Sequence, residues 1–363
     1  MASVWNKGLN ISVFGESHGS AVGVVIDNVP SGIEINYRQI ENFMSRRAPL
    51  NSRIGSTERR ETDSFNIISG IFEDKTTGTP ICAIIKNRDY RSHDYNEIEF
   101  LARPGHADFT GSVRYKFCND FRGGGHFSGR LTAPITFAGA ICQQILHTKG
   151  IKSFAHISSI GNINDKKFDL NNTTIKELEK MQSKSISVLD DMIIPKIQDK
   201  ICDVIKQGDS IGGTIECVVL GTPAGIGSPI FDGVENYISY LAFGIPGVKG
   251  IEFGAGFKTS LMTGSENNDE FYVEDGVIKT KTNNHGGILG GISSGMPIVF
   301  NLAIKPTPTI SKKQKTVNLK TLENTKILSK GRHDACIVVR AVPVVESIAN
   351  IAILSQLIYQ GSF

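Results

Sequence analysis

Residues 122–149 read RGGGHFSGRLTAPITFAGAICQQILHTK. The second part, from Leu131 to Lys149, carries apolar side chains at helical spacing. Pro134 falls inside its first turn and Gly150 stands just past its end, so the stretch predicts a helix. Ahead of it, three consecutive glycines sit between Arg122 and Arg130. Glycine is entropically costly in an ordered chain, so the backbone there does something that side chains would prevent. A glycine turn running into a helix N-terminus offers free N–H groups and the positive end of the helix dipole to an anion. It is not a nucleotide loop. Gly124 and Gly129 have GxxxxG spacing, but Arg130 and Leu131 replace the lysine and hydroxyl residue of a Walker A motif. No GxGxxG occurs elsewhere in the chain.

Outward from this stretch, β-branched runs predict strands at 22–30, 79–87, 214–221, 297–304 and 336–342. Helical periodicity predicts helices at 37–47 with Asn36 as cap, 172–182, and 195–207 ended by Gly208. Two more are predicted at 232–243, between Asp232 as cap and Gly244 as stop, and at 346–359. The result is a mixed α/β pattern, with strands in runs rather than strictly alternating with helices. No repeat or low-complexity linker divides the chain, so one domain over residues 1–363 is expected, with two halves split near 150–210 as the alternative and the lysine-rich 311–330 as a surface excursion.

The 363 residues are 40% hydrophobic and 21% charged, a globular composition. No apolar run of bilayer length is evident, and MASVWNKGLNIS lacks the apolar core of an export signal, so no membrane partner is expected. The six cysteines are scattered without CxxC, which favours reduced thiols in the cytoplasm over disulfides or zinc. A net charge of +3 gives no reason to expect nucleic acid. Placement of the cations says more. Twelve of fourteen arginines lie between Arg38 and Arg130, and the other two are Arg332 and Arg340. Lysine serves in the long gap, so arginine is kept where its planar fork grips carboxylate or phosphate. The loop RRAPLNSRIGSTERRETD (46–63) fits a cover over an anionic ligand, a solvated basic loop or a nucleic-acid arm, although it lacks stacking aromatics for the last.

Polar, glycine-rich stretches recur between the apolar segments: FGESHGS, RPGHADFTGS, RGGGHFSGR, GIPGVKG, NNHGGILGGISSG and KGRHDA. Five of eight histidines lie in them, His18, His106, His126, His285 and His333, and histidine is the natural acid or base near neutral pH. No HxxxH or HExxH spacing occurs among them, so no metal site is expected. Ser17 beside His18 lacks the GxSxG context of a hydrolase nucleophile. GRHDACIVVRAVPVVES (331–347) brings arginine back beside His333 and Asp334.

Taken in order, FGESHG, RPGHADFTG, the triple glycine, NNHGGILGGISSG, KPT and GRHDACIVVRAVPVVE closely resemble the chorismate synthases, over about residues 8–358. The resemblance implies a single-domain sandwich with helices layered between β-sheets, assembled as a homotetramer. The fold class it implies is α+β, and the reaction is anti-1,4-elimination of phosphate from 5-enolpyruvylshikimate 3-phosphate to give chorismate. The family needs reduced FMN without net redox change, and NADPH is a candidate reductant. One phosphate and two carboxylates on the substrate agree with the arginine set. By resemblance, His106 assists at the leaving side, His18 stabilises charge at the flavin's pyrimidine edge, and Asp334 joins the proton relay at flavin N5. Arg47, Arg53, Arg130 and Arg340 match the substrate-gripping arginines. Flavin contacts carry over to His126, Phe127, Ser128, Gly247, Gly290, Lys305, Pro306, Thr307, Pro308, Thr309 and Arg332. The chain departs from the family where GGGRSSARET becomes GGGHFSGRLT, KPTSS becomes KPTPT, GRHDPC becomes GRHDAC and RRRPGTSR becomes RRAPLNSR. A flavin oxidoreductase and a non-catalytic anion or nucleic-acid binder are the competing readings.

Overall fold

A computed structural model describes residues 3–49, 54–55, 61–88, 99–169, 173–329 and 334–362. The apolar runs form two five-stranded antiparallel sheets. The first comprises β1 (Val4–Lys7), β2 (Leu9–Gly15), β3 (Ala21–Asp27), β4 (Phe65–Ser69) and β5 (Ile81–Lys86), in spatial order β1-β2-β3-β5-β4. The second comprises β6 (Lys152–Ile160), β7 (Ile163–Asn164), β8 (Gly213–Leu220), β9 (Val248–Phe253) and β10 (Ile298–Ile304), in order β9-β10-β8-β6-β7. Period-2 burial sets one face of each against the core. Ile81, Ala83 and Ile85 alternate inward on β5, and Ile298, Phe300, Leu302 and Ile304 on β10.

Among the described residues, seven helices of seven residues or more follow as α1 (Tyr37–Arg47), α2 (Asp108–Arg114), α3 (Thr132–His147), α4 (Ile175–Gln182), α5 (Ile194–Lys206), α6 (Val234–Phe243) and α7 (Val338–Tyr359). Between the sheets lie α3 and α7. Helix α3 touches β3 and β5 on one side and β6 on the other, and α7 touches β1, β2, β6 and β8. One hydrophobic cluster runs through both sheets and these helices, while Phe154, Leu178, Met181 and Val218 form a smaller one between the second sheet and α4. This is the α+β layering expected of the chain. The predicted caps hold in part. Asn36 Oδ1 accepts from the Gln39 N–H at 3.1 Å, but α6 is capped at Gly233 rather than Asp232.

Two readings of the sequence are corrected at α7. Residues 336–342 are not a strand. They lead into a single helix that continues through 346–359 and contains Pro343. Nearly every residue from Val338 to Leu357 is buried, including Glu346, Asn350 and Gln356. A segment buried on all sides shows neither helical nor strand periodicity, so its β-branched content pointed the wrong way. The helix is also long and apolar enough to cross a bilayer, against the expectation of no such run, but 94% of its most apolar window is buried inside the protein. It crosses α3 at Gly139, where a Cβ would stand 2.2 Å from Ser347 Cβ. Glu346 is fully buried, takes Arg46 in a bidentate pair at 2.5 and 2.9 Å, and also accepts from Ala155 N and Gln182 Nε2. One carboxylate thus ties α1, α7, β6 and α4 together.

The lysine-rich excursion contains a hairpin, β11 (Gln314–Val317) and β12 (Asn324–Ile327). It pairs with the segment before the RPGHAD motif. Ala102 N donates to Val317 O at 3.3 Å, Leu319 N donates to Phe100 O at 2.8 Å, and Thr316 Oγ1 donates to Ala102 O.

Candidate active site

The triple glycine is a left-handed turn. Gly123, Gly124 and Gly125 have φ of 59°, 85° and 51°, which L side chains seldom adopt. Each also lies against something a methyl group would strike. A Cβ on Gly123 would be 2.4 Å from His18 Cδ2, one on Gly124 2.8 Å from His106 Cε1 and Nε2, and one on Gly125 2.0 Å from Asp120 O. The turn therefore threads between two histidines and needs bare backbone to do so.

Beside it opens a cavity of about 620 Å³, within the usual ~300–1,000 Å³ of small-ligand sites. His106, Asp334, Arg47, Arg130 and Arg340 all line it. So do His126, Phe127, Ser128, Gly247 and the whole 305–309 loop, with Ile135, Leu241, Ile337 and Ile348 as apolar wall. His18 lies behind Gly123 rather than on the cavity surface, 3% exposed. Gly290 sits in the turn between Leu289 and Ile292, away from the cavity lining. Arg53 and Arg332, and with them His333, lie outside the described residues. His285 is a structural residue: its Nδ1 accepts from Gly287 N at 2.8 Å, and Asp269 lies 3.6 Å from its Nε2.

The arginines converge on a residue that sequence reasoning missed. Asp63 is buried with φ of +53°, and its two oxygens accept from Arg47 Nη1 and Arg130 Nη1. Burial pushes its carboxyl upward, but Arg47 and Arg130 outweigh that and hold it below the ordinary range. Arg47 is itself pulled down to about 10, mainly by burial, with Arg340 and Arg130 adding repulsion. Its Nε donates to Thr132 Oγ1 at 3.0 Å, fixing it to the start of α3. Arg130 is more committed to the protein than its place in the motif suggested. Nε donates to Asn87 Oδ1 at 2.8 Å and Nη2 to Lys86 O at 3.2 Å, with Glu61 3.6 Å away. Arg340 makes one long side-chain bond among the described residues, Nη1 to Asp334 Oδ1 at 3.4 Å. No sequence signal picks out Asp63, because its partners are sixteen and sixty-seven residues away.

His106 is held as tightly. Arg103 is buried and donates three times to Asp108, from N and Nε to Oδ2 at 2.9 and 2.7 Å and from Nη2 to Oδ1 at 2.7 Å. Oδ1 in turn lies 3.0 Å from His106 Nδ1. Burial raises the Asp108 carboxyl, but the bonds from Arg103 and His106 outweigh it and keep it well below the usual carboxylate range. Lys305 Nζ donates to Gly105 O at 2.5 Å, closing the loop from the other side. His126 has both ring nitrogens engaged. Nδ1 donates to Gly15 O at 2.8 Å, and Nε2 pairs with Ser3 Oγ at 2.6 Å. Thr307 presents a buried hydroxyl with no hydrogen-bond partner among the described residues, which a polar ligand edge in the cavity would satisfy.

A family model described as chorismate synthase matches residues 9–358. The chain belongs to the chorismate synthase family. Chorismate synthase of Dehalococcoides mccartyi is 44% identical over 362 residues, covering 99% of this chain and 98% of that one. That of Methanocaldococcus jannaschii is 45% identical, covering 97% and 95%. A crystal structure of chorismate synthase superposes with a TM-score of 0.76 at 26% identity, over 97% of this chain and 92% of the other. The chain is thus a carbon–oxygen lyase of the shikimate pathway. It forms chorismate by eliminating phosphate from 5-enolpyruvylshikimate 3-phosphate, in a family that uses reduced FMN without net redox change. The substrate is a small molecule and the family's reaction is an elimination without net redox change, so the competing binder and oxidoreductase readings fall away.

Proposed function

We propose that the 620 Å³ cavity holds both substrate and flavin, with this chain's residues in the following roles. Arg47, Arg130 and Arg340, joined by Arg53, grip the phosphate and carboxylates. Asp63 offsets only part of their charge, which leaves the site attractive to a polyanion. The flavin residues are His126, Phe127, Ser128, Gly247, the 305–309 loop and Arg332, together with Gly290. The Thr307 hydroxyl, unpartnered among the described residues, the bare backbone of the left-handed turn and the apolar wall support that fit. When bound, reduced FMN supplies reversible electron donation to the substrate. His106 holds the proton at the departing phosphate. Asp334, set by Arg340, holds the proton taken from the ring, and His18 supports the flavin from behind Gly123. The apolar walls strengthen each of these charges by displacing water.

The same reading includes NADPH as the reductant, a homotetramer and a cytoplasmic setting. Strongly exposed apolar side chains at Phe231, Phe257, Leu261, Phe271 and Val273 support assembly. Six free thiols support a reducing compartment.

One observation carries the site: His106, Asp334 and three arginines line one cavity beside a turn that only glycine can make. The test is anaerobic turnover with reduced FMN. The chain should release phosphate and chorismate together, and His106→Ala should lose turnover by about 10²–10⁴-fold with a far smaller change in flavin affinity. Lost flavin affinity with turnover of bound flavin intact would overturn the role given to His106.

A further inference from the structure

We propose that Asp108 is a positioning residue that fixes the His106 imidazole with its proton on Nδ1, so that Nε2, the nitrogen at the glycine turn, is the one that gains and loses a proton. The inference deepens the role proposed for His106 and rests on it. Two groups lie near Nδ1, and they ask for opposite things. Asp108 Oδ1 at 3.0 Å needs a proton on Nδ1, whereas Arg103 Nη2 at 3.4 Å would need a lone pair there. The carboxylate wins. It is nearer and charged, and Arg103 Nη2 already donates to Asp108 Oδ1 at 2.7 Å. Nε2 then stands at the glycine turn, on the side of the would-be Gly124 Cβ. In the neutral ring Nε2 carries the lone pair; in the imidazolium it carries the transferable proton, while Nδ1–H stays on Asp108 in both states.

The three bonds from Arg103 also dictate what an amide would do at this position. Oδ2 receives two donors, the Arg103 backbone N–H and Nε, whereas Oδ1 receives one from Arg103 and faces His106. In Asp108→Asn the single carbonyl oxygen must therefore take the Oδ2 place. Its NH₂ then displaces the Arg103 Nη2 contact, falls opposite Nδ1 and donates to it, so the neutral ring carries its proton on Nε2 and takes up the second at Nδ1, on the residue-108 side.

Selective ¹⁵N-histidine labelling of the full chain, without substrate or flavin, reads this directly. The His106 resonances are assigned by their loss in His106→Gln, at a pH where the ring is neutral. In the unsubstituted chain His106 should be the Nδ1–H tautomer. Asp108→Asn should switch it to Nε2–H, and Asp108→Glu, which restores an acceptor, should return it to Nδ1–H. Nε2–H in the unsubstituted chain overturns the proposal even if the variants fail to fold, and so does an unchanged tautomer in Asp108→Asn. Turnover separates this from the reading beneath it. Asp108→Asn should lose kcat by about 10²–10⁴-fold with little change in substrate KM. A switched tautomer with full kcat would uphold Asp108 as the tautomer-setting group and overturn His106 as the proton donor.

Discussion

At the scale of single residues, Gly124 shows why the triplet is glycine. An alanine there would combine a left-handed backbone with a Cβ 2.8 Å from the His106 ring. Misplacing a reacting group by about 1 Å can cost roughly 10²-fold, so Gly124→Ala should lose about 10–100-fold in turnover. Gly264→Ala, at a position with open space and an ordinary φ, should keep it; equal losses in both would argue against a steric cause. A second residue makes a prediction far from the cavity. His156 is fully buried between Asp165 at 3.0 Å and Glu216 at 2.9 Å. Burial alone would lower its pKa, but the two carboxylates outweigh that and raise it. Its stabilisation is therefore complete below the unfolded value of about 6.5 and is lost as pH rises through the higher folded value. Asp165, held low despite burial, works at the other end: its contribution is present above about 3.9 and is lost as pH falls. Urea unfolding from about pH 6.5 to 9 should show declining stability that His156→Gln flattens; parallel curves would refute the linkage. The sequence displayed the histidines and arginines of the site because each stands in a glycine-rich motif. It hid Asp63, Arg103 and Asp108, whose importance is a matter of which charge they meet in space. Asp108 left a faint trace, an acid two residues beyond His106.

At the scale of elements, the legible pieces were those with punctuation or one-sided burial. Helix α3 was announced by Pro134 and Gly150, and α1 by Asn36. The start of α7 was misread because β-branched residues on an element buried all round carry no period. Strand β6 passed unnoticed although Ser153 to Ile157 are all buried, since its serines and His156 broke the apolar run. The α3–α7 crossing gives the element-scale prediction. Alanine in place of glycine inside a helix ordinarily stabilises by about 1 kcal/mol. At Gly139 the new methyl would lie 2.2 Å from Ser347 Cβ and 2.4 Å from its Cα, an overpacking that costs about 3 kcal/mol. Gly139→Ala should therefore destabilise by about 2 kcal/mol, seen as a lower urea midpoint at constant m. A higher midpoint would mean the helices can move apart at no cost.

At the scale of the whole molecule, the layering of helices between two antiparallel sheets followed from the resemblance rather than from periodicity, which gave only runs of strands. The proposed homotetramer predicts that sedimentation equilibrium finds four chains, and that Phe257→Glu with Leu261→Lys, both more than four-fifths exposed in the single chain, yields smaller species. A monomeric unsubstituted chain would remove that part of the reading. The central place of α7 has a further consequence, in the order of manufacture. Every other described element precedes α7 along the chain, yet both sheets rest on it. While a ribosome is still working, α3 can cover part of each sheet, but the faces of β1, β2, β6 and β8 that α7 will cover stay open, and Arg46 on α1 waits for Glu346. Until α7 emerges, chaperones would find their apolar targets on the faces that it will cover.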